Sequence, residues 1–102
     1  MIYESGNYYI GEFQNYGRNG YGKEYLHKGD SYQGYYKNNT RHGLGLYKYA
    51  DGGYYYGDWV LNDRQGYGVF TDKDGIKYCG QWSENKKHGI IMKIDTDGRV
   101  LI

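Results

Sequence analysis

The sequence predicts an all-β protein: a single-layered, twisted antiparallel meander of about four β-hairpin repeats, each 23 residues long. Three observations carry that expectation. Landmark residues return at one fixed spacing. Tyrosine and glycine alternate with the period-two rhythm of a strand, and Asp-Gly or Asn-containing steps punctuate the chain where strands would reverse. Composition agrees. Glycine (18 residues) and tyrosine (16) make up a third of the 102 residues, and proline is absent. Helix is disfavoured, because each glycine costs about 1 kcal/mol in a helix interior. A net charge of +1 with 20% aromatic residues is unlike a disordered chain, which carries few aromatics. Glycine without a three-residue period excludes collagen. The near-neutral charge argues against nucleic acid as a partner. No apolar run approaches the ~20 residues that a spanning helix needs.

Tyr9, Tyr32, Tyr55 and Tyr78 stand 23 residues apart. Two positions after each comes Gly11, Gly34, Gly57 or Gly80, and two further on an aromatic: Phe13, Tyr36, Trp59 or Trp82. Glycine returns at Gly20, Gly43, Gly66 and Gly89, then at Gly22, Gly45 and Gly68, with Ile91 in the fourth copy. With a glycine opening each copy, the repeats run 6–28, 29–51, 52–74 and 75–97 in one domain over 1–102. Met1 to Ser5 read as the tail of an earlier copy, and Gly98 to Ile102 as the start of a fifth.

Each repeat reads as one hairpin. In the second, Tyr32, Gly34 and Tyr36 alternate with Gln33, Tyr35 and Lys37 in a first strand. Asn39-Thr40 follows, with Tyr16-Gly17, Asn62-Asp63 and Asn85-Lys86 in the other copies. Asparagine tolerates the positive φ of tight turns. Gly43 to Tyr49 forms the return strand, and Asp51-Gly52, Asp74-Gly75 and Asp97-Gly98 make the next turns. An odd period obliges one loop of odd length or one bulge if Tyr32 and Tyr55 are to share a face. Asp-Gly suits a three-residue loop with glycine in the left-handed position. A two-residue turn centred on Asn39-Thr40 sets Tyr36 opposite Gly43, Gly34 opposite Gly45 and Tyr32 opposite Tyr47. Rings then cover bare glycine backbone, which restores packing that glycine gives up. Two strands per repeat advance the sheet by roughly 10 Å, so four repeats give a ribbon of about 40 Å.

The pattern Y-x-G-x-[FYW]-x-x-N-x-[RK]-x-G-x-G, followed by D-G, resembles the MORN repeat (membrane occupation and recognition nexus). Trp59 and Trp82 keep the family tryptophan, and His42-Gly43 and His88-Gly89 its His-Gly step. Asn39, Asn62 and Asn85 stand where the family commonly has glycine. The resemblance covers about residues 2–102. It implies a single-layered sheet with an aromatic-lined groove, of the kind used as scaffolds in cytoskeletal, ciliary and membrane-junction proteins. Modules that it resembles also occur attached to lipid kinases and lysine methyltransferases, and no kinase or methyltransferase region is read in these 102 residues.

Catalytic, metal and cofactor chemistry find no support. His42 and His88 occupy one position two repeats apart, about 20 Å by strand spacing, and zinc–nitrogen bonds are about 2 Å. His27, the third histidine, stands apart from both. Cys79 has no histidine fixed beside it, and its equivalents are Ile10, Gln33 and Tyr56. Asp51, Asp74 and Asp97 recur as turn residues. The Gly-x-Gly steps precede no helix and are not phosphate loops.

The first functional reading is therefore a non-enzymatic scaffold or adaptor. It binds a helical or extended protein segment through Tyr9, Phe13, Tyr32, Tyr36, Tyr55, Trp59, Tyr78 and Trp82. A second reading rests on Arg18, Arg41, Arg64 and Lys87, one basic position in all four repeats. These cations flank the turn on the aromatic side and suit an acidic partner or anionic phospholipids. A third is the regulatory part of a larger enzyme. Arg99-Val100-Leu101-Ile102 presents an apolar edge that invites pairing with a second copy. With a single cysteine and no basic-then-apolar leader, the expected location is cytoplasmic, with cytoskeletal or membrane association implied by the resemblance.

Overall fold

In the computed structural model, residues 6–14, 17–26 and 28–101 are described. They form one open antiparallel sheet in meander order. Its strands are β1 (Tyr8–Gln14), β2 (Gly17–Tyr25), β3 (Ser31–Lys37), β4 (Thr40–Lys48), β5 (Tyr54–Val60), β6 (Asp63–Thr71), β7 (Lys77–Ser83), β8 (Lys86–Ile94) and β9 (Val100–Leu101). The sheet measures 45 × 23 × 17 Å, which matches a ribbon advancing about 10 Å per hairpin. The expected readings of Met1 to Ser5, Tyr16, His27 and Ile102 lie outside the described residues.

The odd loop sits at Asp-Gly. Tyr49 N–H donates to the Gly53 carbonyl at 2.8 Å and Gly52 N–H to the Tyr49 carbonyl at 3.0 Å, which encloses Ala50-Asp51-Gly52. Gly52 takes the left-handed position at φ 101°. The same two bonds recur at Asp72 to Ile76 and Asp95 to Arg99.

The hairpin turn differs from expectation by one residue. Its centre is Asn38-Asn39, both at positive φ (51° and 69°), with Leu61-Asn62 and Glu84-Asn85 matching it. That geometry is the mirror-image turn that follows strand twist. Lys37 therefore pairs with Thr40, and Tyr36 lies opposite Arg41 rather than Gly43. Gly34 opposite Gly45 and Tyr32 opposite Tyr47 hold as expected. A bulge reconciles the two registers, because between these pairs only Tyr35 on β3 faces His42, Gly43 and Leu44 on β4. Gly43, at φ 101°, supplies the bend that a side chain would resist. The bulge recurs in the first and third hairpins.

The core is a single row of rings on one face. Tyr9, Tyr32 and Tyr55 are fully buried, and Tyr36, Trp59 and Trp82 nearly so. Each of the three tyrosines lies across a glycine pair: Gly11 with Gly22, Gly34 with Gly45, Gly57 with Gly68. A Cβ on Gly45 would stand 2.2 Å from the Tyr32 hydroxyl oxygen. The hydroxyls donate to carbonyls freed near the bulge, Tyr9 to Glu12 (3.0 Å), Tyr32 to Tyr35 (2.9 Å) and Tyr55 to Asp58 (3.1 Å). Adjacent rings meet edge to face, as between Tyr32 and Trp59 at 5.4 Å and Tyr55 and Trp82 at 5.5 Å. Trp59 and Trp82 donate their indole N–H to the Gly45 and Gly68 carbonyls. A buried hydroxyl or indole N–H needs such a partner.

Gly45→Ala is expected to cost roughly 3 kcal/mol, because the methyl must displace the Tyr32 ring and no second layer yields in its place. Urea unfolding followed by circular dichroism reads the loss. An unchanged midpoint would show that the ring does not need the bare glycine.

Candidate binding faces of the sheet

Alternation and register divide the side chains between two faces. One carries the ring row together with Arg18, Arg41, Arg64 and Lys87. The other carries Tyr21, Tyr35, Leu44, Tyr56 and Tyr67.

On the first face, the structure corrects the expectation of an open groove lined by eight aromatics. Tyr9, Tyr32, Tyr36, Tyr55, Trp59 and Trp82 are buried. Tyr78 is half-buried and Phe13 is exposed. The cause is mutual covering. With no second layer, each ring is closed off by the next ring and by an arginine laid over both. The Arg41 guanidinium stands 5.6 Å from the Tyr32 ring, 5.1 Å from Tyr47 and 5.6 Å from Trp59. Arg64 repeats this over Tyr55, Phe70 and Trp82, and Arg18 over Tyr9 and Tyr36. Lys87 stands 3.9 Å from the centre of the Tyr78 ring. Each such contact is worth about 0.5–2 kcal/mol, more as water is excluded.

The basic row thus lies on the aromatic side, as its spacing predicts, but its members differ. Glu24 is buried. It accepts from the Tyr36 hydroxyl at 3.0 Å and forms ion pairs with Arg18 (3.2 Å) and Arg41 (3.7 Å). Tyr47, Phe70 and Lys93 hold the equivalent position in later repeats. Among the described residues Arg64 and Lys87 have no ion pair.

Sequence reasoning missed the second role of the turn asparagines. Asn62 accepts from the Arg41 backbone N–H through its side chain (2.8 Å), while its own N–H donates to the Arg41 carbonyl (3.1 Å). Asn39 with Arg18, and Asn85 with Arg64, make the same reciprocal pair. Asparagine thus both turns one hairpin and fastens it to the previous one. The recurrence of Arg and Asn 21 residues apart was the available signal.

The second face is open. Tyr67 is 67% exposed, Tyr35 51% and Tyr56 49%. Tyr21 stands opposite Tyr35 with its ring 5.6 Å away, and Leu46 opposite Tyr56. Between them lies a shallow groove of about 190 Å³ lined by Tyr21, Gln33, Tyr35, Leu44, Leu46 and Tyr56.

Among the described residues no group of three or more His, Cys, Asp or Glu could hold a metal ion. No described helix is long and apolar enough to cross a membrane. His42 and His88 sit on separate hairpins, β4 and β8.

Successive similar hairpins, each packed chiefly on its sequence neighbours, define a repeat protein of the solenoid class. The MORN repeat family model matches residues 9–31, 32–54, 55–77 and 78–90, and the chain belongs to that family. The matches start three residues later than the glycine-led frame and keep its period. The family consists of non-catalytic repeat modules that interact with proteins or membranes. A comparison with curated proteins finds no match.

Burial raises the pKa of Tyr32, Tyr36, Tyr47 and Tyr49 above the ordinary tyrosine value, and that of Tyr55 to about 12. The Glu24 carboxylate adds to the rise at Tyr36, and Asp30 to that at Tyr47. With the folded values raised, the stabilisation is complete below about pH 10, the unfolded value. Above it the unfolded chain binds fewer protons than the folded one, so stability declines as pH rises toward 12 and beyond. Tm measured from pH 9 to 12 is expected to fall, with tyrosinate absorbance from these residues appearing only on unfolding. A flat Tm would remove the burial argument.

Proposed function

We propose that this protein is a non-enzymatic adaptor that binds an extended protein segment across its open face, on Tyr21, Tyr35, Leu44, Tyr56 and Tyr67. The carrying observation is the contrast between the faces. One row of aromatics is consumed in holding the sheet together, while the other remains in solvent over several strands. Contiguous exposed apolar surface of this kind marks an interaction site. Tyrosine is also a favoured anchor at such sites. The groove between Tyr35 and Tyr56 is shallow and small, about 190 Å³ across β2 to β5, which suits an extended segment better than a helix of about 10 Å diameter.

A membrane-surface role for the basic row has weaker support. Arg18 and Arg41 share Glu24, and all three arginines are stacked on rings, so the row is not a uniform strip of free cations.

The test is selection of peptides from a displayed library on the immobilised protein, followed by fluorescence anisotropy. Peptides that bind should lose roughly tenfold or more in affinity to the variant Tyr35→Ser/Tyr56→Ser/Tyr67→Ser. Its Tm should move little, since exposed positions rarely cost more than about 0.5 kcal/mol each. Recovery of no binders, or equal binding to the variant, would overturn the assignment.

A further inference from the structure

The third and fourth hairpins break the repeat on the ring face. Position 49 is Tyr49, whose ring lies 4.7 Å from Tyr47 and 5.8 Å from Phe70 and fills the space between hairpins. One repeat later the same position is Asp72. Arg64 is followed by the shorter Lys87, and Asp63 by Lys86. A cavity of about 410 Å³ opens there, lined by Arg64, Phe70, Asp72, Tyr78, Trp82 and their neighbours Asn85, Lys86 and Lys87.

Tyr78 shows the same break. Its glycine pair is incomplete, because Gly80 faces Ile91. A Cβ on Gly80 would stand 2.6 Å from the Ile91 side chain. The Tyr78 hydroxyl is directed to Asp72 at 3.4 Å, not to a backbone carbonyl as in the earlier copies. Its ring is left as a wall of the cavity.

Charge in this cavity is unbalanced. Arg64, Lys86 and Lys87 face one carboxylate, Asp72, which already accepts from the Asp74 and Ile76 backbone N–H groups. No described residue plays for Arg64 and Lys87 the part that Glu24 plays for Arg18 and Arg41, since Phe70 stands at the equivalent place and Lys93 one repeat on. Phe70, Tyr78 and Trp82 offer apolar surface beside these cations.

We propose that this cavity between β6, β7 and β8 is a docking site for an acidic peptide segment. A Glu or Asp carboxylate of the segment meets Lys86, Lys87 and Arg64, and a neighbouring apolar side chain rests on Phe70, Tyr78 and Trp82. The site is on the opposite face from the tyrosine stripe and does not depend on it. A peptide fits better than a lipid surface for two reasons. The cations border a shallow, open depression lined by Phe70, Tyr78 and Trp82, so an apolar side chain can rest on the rings beside the carboxylate that the cations meet. Arg64 is also held in the wall by its bonds to Asn85 and its stacking on Trp82, so it meets a group that enters.

The probe is a short capped peptide alternating Glu and Leu, with a Gln–Leu counterpart. It is followed by fluorescence anisotropy and by the NMR shift of the Trp82 indole N–H. The Glu peptide is expected to bind, to shift that resonance, and to bind about tenfold tighter than the Gln peptide. The exposed double variant Lys86→Glu/Lys87→Glu should lose about tenfold, the sum of two modest charge contacts. Asp72→Tyr should abolish binding by refilling the cavity, with circular dichroism confirming the fold. The Tyr35→Ser/Tyr56→Ser/Tyr67→Ser variant should bind the Glu peptide normally. Equal binding of the Glu peptide to the Lys86→Glu/Lys87→Glu variant, or an unmoved Trp82 resonance, would overturn the proposal. So would salt-sensitive binding of phosphatidylserine vesicles without binding of the peptide, which would hand these cations to a membrane surface.

Discussion

A tyrosine ring laid across a bare glycine pair is the contact on which the rest of this sheet depends. A sheet without a second layer has no opposing surface to bury its side chains. Here the ring of Tyr32 buries itself by lying on the backbone of Gly34 and Gly45 and donating its hydroxyl to Tyr35. The glycine must be bare for the ring to approach, the ring must be long enough to cross it, and the bulge must bring a carbonyl into reach. These requirements are coupled, so they recur together in each of the first three hairpins and loosen together in the fourth, where Ile91 replaces the glycine.

Fastening between hairpins is of a second kind. Arginine covers the rings of its own and the next repeat, and the next turn's asparagine grips the arginine backbone on both its polar groups. Every such contact joins neighbours, so stability accumulates along the ribbon. Positions that carry neither duty are free to vary, and the variation gives the faces their character. The series Glu24, Tyr47, Phe70, Lys93 runs from an acid that neutralises two arginines to a further cation. Leu26, Tyr49, Asp72 and Asp95 run from apolar to acidic. A repeat that is uniform in fold thereby differs in charge from one copy to the next.

The division of the aromatics follows from the same physics. Rings that meet glycine pairs and arginines sink into the face they stand on. Rings on the other face meet only their cross-strand partners, such as Tyr21 with Tyr35, and keep about half or more of their surface in water at Tyr35, Tyr56 and Tyr67. The open surface and the structural surface are thus back to back in a sheet only 17 Å through its shortest extent.

The sequence by itself determined the period, the number of hairpins, the meander and the three-residue Asp-Gly loop, because these rest on local chemistry: alternation along a strand and the few residues that accept positive φ. It also placed the basic row on the aromatic side. The tertiary structure alone decided which aromatics are buried. Tyr35 and Tyr36, or Tyr54, Tyr55 and Tyr56, are the same residue type on both faces, and only cross-strand packing separates core from surface. It likewise decided the turn at Asn38-Asn39, because the two extra residues of the bulge let either register satisfy Gly34 opposite Gly45. The shared Glu24 and the cavity at Asp72 were not legible either. Both are formed by side chains from different hairpins, whose meeting depends on how far each ring and arginine reaches across the sheet.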